Sequence, residues 1–251
     1  MISAVILTKN EKESILECLK TLEFCDEIII VDDYSTDQTV EFVKKLNNPK
    51  IRIIPHSHGD DFSEKRNYGL SKTKGDWVFF VDADERVSLA LIFEVSNITR
   101  LGEESFNGFY IKRIDVMWGK ELKHGETGNI RLLRLAKRDA GEWVGRVHEK
   151  WVVRGKTGQL KNPLYHYPHQ TIKEFLKGVN FYTSLRSEEL YKKGKKTNIV
   201  LIIFYPVGKF FINFFLKQGF LDGVPGFIHA ITMSFHSFLV RVKLWELLKR
   251  K

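Results

Sequence analysis

Four short, largely apolar runs near the start of the chain constrain its fold more than any other feature. They have the sequences SAVILT (residues 3–8), EIIIV (27–31), IRII (51–54) and DWVFFV (76–81). The segments between them carry apolar residues at helical spacing, so strands alternate with helices. Strands that are apolar on both faces are typical of a parallel sheet covered by helices. We therefore predict an α/β fold with a Rossmann-like, mostly parallel sheet and flanking helices.

Polar residues stand directly after three of these runs. The first run is followed by Lys9 and Glu11, the second by Asp32 and Asp33, and the fourth by the acidic stretch 82–85. Each residue alone is equally typical of a helix cap or a turn. Since ligands of such sheets bind outside the carboxyl ends of the strands, three polar ends together indicate a binding site. No glycine-rich dinucleotide or P-loop motif is present, which argues against those two enzyme classes.

The Asp82-Ala83-Asp84 stretch is typical of a metal site. In an extended segment, Asp82 and Asp84 would point to the same face. Two adjacent carboxylates repel each other unless a cation lies close to them. A hard ion such as Mg²⁺ takes one or two carboxylates together with substrate phosphate oxygens, so a nucleoside diphosphate is the expected ligand.

The net positive charge of the chain lies entirely in its last third. Residues 1–170 hold 26 Lys and Arg and 26 Asp and Glu, whereas residues 171–251 hold 14 and five, a net charge of +9. The same region contains the densest apolar runs. Basic and apolar residues together favour an anionic membrane surface, and no nucleic-acid-binding motif is visible.

The region 171–251 has the pattern of three helices. The middle segment, 198–216, is apolar, but Pro206 predicts a break after Tyr205. We predict that these helices dock in the plane of a membrane. The alternatives are packing on the sheet domain, assembly into a homo-oligomer, or a transmembrane hairpin. The N-terminus lacks a signal-peptide pattern, and Cys18 and Cys25 are expected to be reduced thiols, so a cytoplasmic location is predicted.

Several motifs, in order, carry a resemblance to a known family. ILTKNE, VDDYSTDQT, EKRNYGL and VDADE resemble the family 2 glycosyltransferases, which have the GT-A fold. NIRLLRL, EWVGRVHEKW, YHYPHQT and DGVPGF resemble the branch that contains bacterial lipopolysaccharide-core β-glucosyltransferases. The resemblance implies a GT-A domain over 1–170, a membrane-docking or oligomerising region over 171–251, and a peripheral position on the inner face of the bacterial cytoplasmic membrane.

The resemblance also implies an activity and its residues. The activity is inverting transfer of a hexose, glucose in that branch, from a UDP-sugar to a glycan or glycolipid acceptor such as lipopolysaccharide core. The residues implied for nucleotide-sugar binding are Thr8, Glu11, Asp33, Arg66, Asn67, Asp82 and Arg131. The residues implied for a divalent metal, Mg²⁺ or Mn²⁺, are Asp82, Asp84 and His148.

Glu149 is the candidate general base that accepts the proton of the acceptor hydroxyl. Taken without the resemblance, it is equally a solvated strand residue paired with Lys150 or Arg146. Arg131 is favoured over Arg134 as a diphosphate contact, since the guanidinium fork matches phosphate oxygens. Two other functions stay open: a sugar-nucleotide-forming nucleotidyltransferase, and a non-catalytic membrane scaffold.

Overall fold

The structure is a computed structural model, and it describes residues 1–57, 59, 61–101, 105–145, 149–168 and 171–249. Its contacts divide the chain into two compact units. The first comprises Met1–Arg113 and Ile130–His166, and the second comprises Ile114–Asn129 and Tyr167–Lys251. The second unit therefore contains a short segment from the middle of the chain in addition to the C-terminal region.

The first unit begins with an alternation of strands and helices. Its elements up to residue 101 are β1 (Ile2–Thr8), α1 (Ile15–Lys20), β2 (Glu27–Asp32), α2 (Thr39–Lys45), β3 (Ile51–Pro55), α3 (Phe62–Ser71), β4 (Trp77–Phe80), β5 (Glu85–Val87) and α4 (Leu89–Leu101). The four predicted apolar runs are thus β1 to β4. They are strands because β-branched and aromatic residues dominate them. β1, β2 and β4 are buried on both faces, whereas the residues of β3 are half-buried or exposed.

Strands dominate the rest of the first unit. They are β6 (Gly108–Met117), β8 (Arg131–Lys137), β9 (Gly141–Val144), β10 (Lys150–Val153), β11 (Thr157–Gln159) and β12 (Leu164–His166), while β7 (Lys120–Leu122) belongs to the second unit. β6 runs from the first unit into the second. β9 and β10 form a separate antiparallel ribbon.

The main sheet has the strand order β3-β2-β1-β4-β8-β6-β12-β5. β1, β2, β3 and β4 are parallel, and β8 is antiparallel to both β4 and β6. The predicted mostly parallel sheet with flanking helices is confirmed. Because β1, β2 and β4 are parallel neighbours, the polar residues after them meet at one edge of the sheet.

Helix α3 lies unusually close to the sheet because it contains Gly69. A Cβ atom at this position would lie 2.6 Å from Val5 Cγ1 and 3.1 Å from Val31 Cγ2. Contacts this short are incompatible with a larger side chain unless the helix moves. Gly69 therefore sets the distance at which α3 presents its other residues to the carboxyl end of the sheet.

The second unit is mainly helical. Its helices are α5 (Ile172–Lys192), α6 (Ile199–Phe211), continued by a π turn over Ile212–Leu216, and α7 (Gly223–Lys249). Thr171 and Glu174 form a capping box that begins α5. The predicted break at Pro206 is wrong, because α6 continues through it. Two helical stretches, Ile199–Leu216 and Gly219–Lys249, are long and apolar enough to cross a membrane by length and composition alone.

Candidate active site

The carboxylate of Asp82 lies between two buried arginines. Arg66 Nη2 donates to Asp82 Oδ1 at 2.9 Å, and Arg134 Nη2 donates to Asp82 Oδ2. Arg134 Nη2 also donates to Glu85 Oε1 at 3.1 Å, and Glu85 is fully buried. Burial alone would raise the pKa of Asp82, but the two guanidiniums hold it well below its usual range.

The two aspartates of the Asp-Ala-Asp stretch have different partners. Residues 83 and 84 form a turn, closed by the Glu85 N–H that donates to Asp82 O at 2.9 Å. Asp82 contacts the arginines, whereas Asp84 Oδ2 lies 3.2 Å from His166 Nε2. The expectation of an extended segment is wrong, because the chain turns at residues 83 and 84 and the two carboxylates have different partners.

A β-bulge directs Arg134 into this site. In the β6–β8 pairing, Tyr110 is opposite Leu133 and Phe109 is opposite Leu135, so Arg134 is the extra residue between them. Bulges re-aim side chains and are common beside active sites. Arg134 is 3% exposed as a result, whereas Arg131 on the same strand is exposed.

Glu149 contacts the same cluster through Arg66. Arg66 Nε donates to Glu149 Oε1 at 2.9 Å, and the Glu149 side chain is 15% exposed. The Arg66 guanidinium also stacks on the Trp143 ring, 4.6 Å from its centroid. One arginine thus bridges the candidate base and the acidic motif. The Arg66 Nη1 atom is buried and has no hydrogen-bond partner among the described residues.

Asn67, next to Arg66 on α3, binds the protein main chain. Its Nδ2 donates to Trp143 O and its Oδ1 accepts from Trp143 N, both at 2.8 Å. The amide therefore holds β9 against α3 and fixes the ring on which Arg66 stacks. Its contact with a nucleotide stays a prediction.

At the end of β2, Asp33 is held by two lysines. Lys65 Nζ donates to Asp33 Oδ2 at 2.8 Å, and Lys9 Nζ donates to the same atom at 3.0 Å. Burial acts to raise the pKa of Asp33, but hydrogen bonds from Lys65, Ser57 and Lys9 outweigh it and lower the pKa to about 2. Asp33 is therefore an ionised acceptor at neutral pH.

Thr8 and Glu11 lie at the carboxyl end of β1. The Thr8 side chain is buried, and its hydroxyl has no hydrogen-bond partner in the described part of the chain. Burial raises the pKa of Glu11 to about 7, with further contributions from the charges of Asp84, Asp37 and Asp82. An unsatisfied hydroxyl and an excess of negative potential are features that a polar ligand with a cation would relieve.

A divalent ion fits this site only together with oxygens from a bound ligand. Among the described residues, no group of three or more His, Cys, Asp or Glu is placed to hold a metal. Both Asp82 oxygens accept from guanidiniums, whereas Asp84 and His166 supply an oxygen and a nitrogen donor side by side. That pair suits Mn²⁺ or Mg²⁺ as a partial coordination shell. His148, the other predicted ligand, lies outside the described residues.

Arg134, Lys65 and His166 were not predicted as site residues, since Arg131 was favoured over Arg134. Lys9 and Glu85 were predicted only as polar residues that follow a strand. The Arg134 bulge has no local sequence signal, since it is a property of the pairing between β6 and β8. For His166, the only available signal was its position in the YHYPHQT motif.

Comparisons with known proteins give the domain type and the fold of the chain. Residues 3–98 match the family model described as Glycosyl transferase family 2. The chain is 28% identical over 251 residues to the lipopolysaccharide core biosynthesis glycosyltransferase LpsC of Rhizobium meliloti strain 1021, and the match covers 98% of this chain and 92% of LpsC.

Two solved structures have a similar fold. The mannosyltransferase PcManGT of Pyrobaculum calidifontis, in complex with GDP-Man and Mn²⁺, has a TM-score of 0.57 at 13% identity, with 97% of this chain and 86% of PcManGT covered. S. aureus TarS 1-349, in complex with UDP-GlcNAc, has a TM-score of 0.50 at 16% identity, with 94% and 81% covered. Residues 3–98 therefore form a family 2 glycosyltransferase domain, the fold is of the GT-A type, and the chain is a glycosyltransferase.

Proposed function

We propose that this protein transfers a hexose from a UDP-sugar to a glycan or glycolipid acceptor such as lipopolysaccharide core. The proposed hexose is glucose, and the transfer inverts the configuration at the anomeric carbon. The observation that carries the proposal is the Arg66 bridge. It brings Glu149 and Asp82 to the two ends of one guanidinium, although Glu149 and Arg66 are 83 positions apart in the sequence. An inverting reaction needs a general base and a leaving-group site close to the same anomeric carbon, and this one guanidinium joins the candidate groups for both.

In this proposal Glu149 accepts the proton of the acceptor hydroxyl. Its hydrogen bond to Arg66 Nε fixes the carboxylate, and the stack of Arg66 on Trp143 fixes the guanidinium in turn. The free Arg66 Nη1 donor is available to a phosphate oxygen of the leaving diphosphate. Arg66 would therefore orient the base and bind the leaving group at once.

The nucleotide would lie along the carboxyl ends of β1 and β2. Asp33, ionised and held by Lys9 and Lys65, would accept the imide N–H of uracil. The orphan Thr8 hydroxyl and the Glu11 carboxyl would bind the ribose or the base. TarS was solved with UDP-GlcNAc and PcManGT with GDP-Man, so a comparison of UDP with GDP binding tests this choice of base.

Asp84 and His166 would hold the divalent ion, Mg²⁺ or Mn²⁺, together with the diphosphate. Such an ion supplies charge neutralisation at the leaving group. Asp82 would position Asp84 rather than bind the ion itself, since its ion pairs with Arg66 and Arg134 hold the turn that carries Asp84. Arg131 is too exposed to share this network, and its contact with the diphosphate stays a prediction.

The proposed location is the cytoplasmic face of the bacterial inner membrane. The lipopolysaccharide-core role of LpsC and the two long apolar helices support an enzyme of the cell envelope. A glycolipid acceptor would be reached from that surface.

The first experiment is calorimetric titration of UDP, with and without Mn²⁺, on the wild type and Asp84→Ala. We expect metal-dependent binding that is lost in Asp84→Ala and kept in the control Asp76→Ala. Asp76 lies directly before the first residue of β4, at the end of the strand away from the site. Full metal-dependent binding by Asp84→Ala would remove Asp84 from the metal site. Binding of GDP in place of UDP would correct the donor.

The second experiment tests the base. Glu149→Gln should lower the turnover of the UDP-sugar by about 100-fold or more, with UDP affinity unchanged. The matched control is Glu142→Gln, an exposed glutamate on the adjoining strand β9. A Glu149→Gln enzyme that loses UDP affinity and keeps its turnover would contradict the base assignment. Sugar-nucleotide formation from a triphosphate would favour the nucleotidyltransferase instead.

A further inference from the structure

One face of α6 is apolar and open to solvent. Val200, Phe204, Val207, Phe211 and Phe215 follow each other at intervals of three or four residues and are 48–67% exposed. At 3.6 residues per turn these positions form one stripe along the helix. Soluble surfaces rarely expose so many large apolar side chains in a row.

Helix α7 carries a second stripe of the same kind. Its exposed members are Val224, Phe227, Ile231, Phe235 and Phe238. The two helices are adjacent, because the Phe227 ring contacts those of Phe210 and Phe214. We call the two stripes together the apolar hairpin face.

Positive charge borders this face. Four exposed lysines lie in the five residues 192–196, directly before α6, and Lys217 is exposed directly after its π turn. On α7, the Arg241 guanidinium lies 4.0 Å from the Tyr205 ring centroid and Lys249 lies 4.3 Å from that of Trp245. Aromatic rings flanked by cations are typical of the boundary between headgroups and acyl chains.

The opposite side of α6 is held by a polar loop, residues 123–129. Glu126 accepts from Lys209 Nζ at 2.6 Å and from Asn213 Nδ2 at 3.0 Å. In the same loop His124 Nδ1 lies 2.8 Å from Asp222 Oδ1. A helix that crossed the bilayer would carry these charged groups into the hydrocarbon, at high cost. Only the exposed side of α6 is therefore suited to contact lipid.

We infer that the apolar hairpin face is a docking surface for an anionic phospholipid leaflet. The α6–α7 hairpin lies parallel to the membrane plane, its stripes enter the acyl boundary of one leaflet, and the lysines of 192–196 and Lys217 meet anionic headgroups. A second copy of the chain fits less well, since it would oppose two surfaces of the region 171–251, whose net charge is +9.

The first test is flotation of the full-length protein with vesicles of phosphatidylcholine, with or without 30 mol% phosphatidylglycerol. We expect the wild type to float with the anionic vesicles and much less with the neutral ones. Phe204→Asp combined with Phe211→Asp should abolish flotation. The matched control is Phe93→Asp, a phenylalanine of the first unit that is 70% exposed. Failure of the wild type to float with either vesicle would overturn the inference.

A second set of variants tests the charge. Replacing Lys192, Lys195 and Lys196 with glutamine should weaken binding to anionic vesicles by about fivefold per lysine, and added salt should reduce the difference. The control replaces three exposed lysines of the first unit with glutamine, namely Lys44, Lys45 and Lys74. Equal binding by both triple variants would overturn the role of the basic run.

Depth measurements test the orientation. Spin labels on Val200→Cys and Phe215→Cys should report the same shallow depth, because α6 lies in the plane. Depths that differ by about 22 Å, the length of 15 helical residues, would establish a spanning helix instead. A stable wild-type dimer that does not float would assign the face to a second copy.

These outcomes are independent of the proposed catalytic function. None of the altered residues lies in the first unit's site, so UDP binding by Phe204→Asp with Phe211→Asp should equal that of the wild type. Loss of flotation with intact UDP binding would support the docking surface. Intact flotation of a wild type that binds no nucleotide would leave docking in place and reject the proposed donor.

Discussion

Replacing Arg134 with methionine should destabilise the protein far more than any exposed substitution on the same strand. Arg134 is 3% exposed and donates to the carboxylates of Asp82 and Glu85. Methionine keeps the apolar length of the side chain and removes its charge. Asp82 would retain its contact with Arg66 at 2.9 Å, but Glu85 would lose a buried cation.

The magnitude follows from burial. Removing one partner of a buried ion pair costs roughly 3–5 kcal/mol, because it leaves an uncompensated charge. Since Arg66 still neutralises Asp82, we expect the lower end, about 3 kcal/mol at pH 8. The control is Arg131→Met, whose side chain is exposed and whose effect should stay within about 0.5 kcal/mol.

The loss should depend on pH. Burial raises the pKa of Glu85, against the attraction of Arg134, so its folded value lies above its unfolded value. A raised carboxyl pKa contributes stability that is present below the unfolded pKa and is lost as the pH rises through the folded pKa. Removing Arg134 raises the folded pKa of Glu85 further. The destabilisation by Arg134→Met should therefore be greatest at pH 8 and smaller at pH 5.

Urea denaturation at both pH values measures these differences. A double-mutant cycle isolates the interaction between Glu85 and Arg134. It needs Glu85→Gln and the double variant Glu85→Gln with Arg134→Met, which removes both charges. We expect the double variant to be more stable than Arg134→Met alone by about 1 kcal/mol or more at pH 8. If Arg134→Met costs no more than Arg131→Met at either pH, the buried network described above is refuted.

Two further predictions concern stability. Gly69→Ala should lower the free energy of unfolding by about 1–3 kcal/mol in urea denaturation, because its Cβ would lie 2.6 Å from Val5 Cγ1; an unchanged value would mean that α3 can move without cost. Asp33→Asn should cost about 2 kcal/mol at pH 7, since the pKa of Asp33 is lowered to about 2 by its lysine partners. That contribution is present above the unfolded pKa and lost as the pH falls through the folded pKa, so the two unfolding curves should converge between about pH 4 and pH 2, and a constant difference would contradict the assignment.

Much of the sheet architecture could be predicted from the sequence. The apolar runs that become β1 to β4 are local, and the burial of β1, β2 and β4 on both faces leaves one sheet type that suits them. The break at Pro206 could not be predicted correctly. A proline removes one backbone hydrogen-bond donor, but packing can hold a helix together at that point: Ser234 Oγ of α7 donates to Pro206 O at 2.7 Å, which ties α7 to α6 at the proline.

The sequence indicated several of the residues that lie at the candidate site, but not the contacts between them. The acidic ends of β2 and β4 are visible as sequence, because they follow apolar runs directly. The turn at 83–84 depends on Glu85, whose carboxylate accepts from the Asp82 N–H at 2.9 Å. The prediction of an extended stretch was therefore incorrect, and the different partners of Asp82 and Asp84 could not be predicted from it.

What the sequence determined by itself was the fold class, the glycosyltransferase domain over residues 3–98 and the split between a neutral first part and a basic, apolar last third. These properties follow from composition, hydrophobic periodicity and motifs, so they can be predicted without knowledge of tertiary contacts. Only the tertiary structure decided that Arg134 rather than Arg131 is buried, that Arg66 joins Asp82 to Glu149, and that His166 pairs with Asp84. The reason is physical: these ion pairs join residues between 16 and 83 positions apart, and sheet register and a bulge set their geometry.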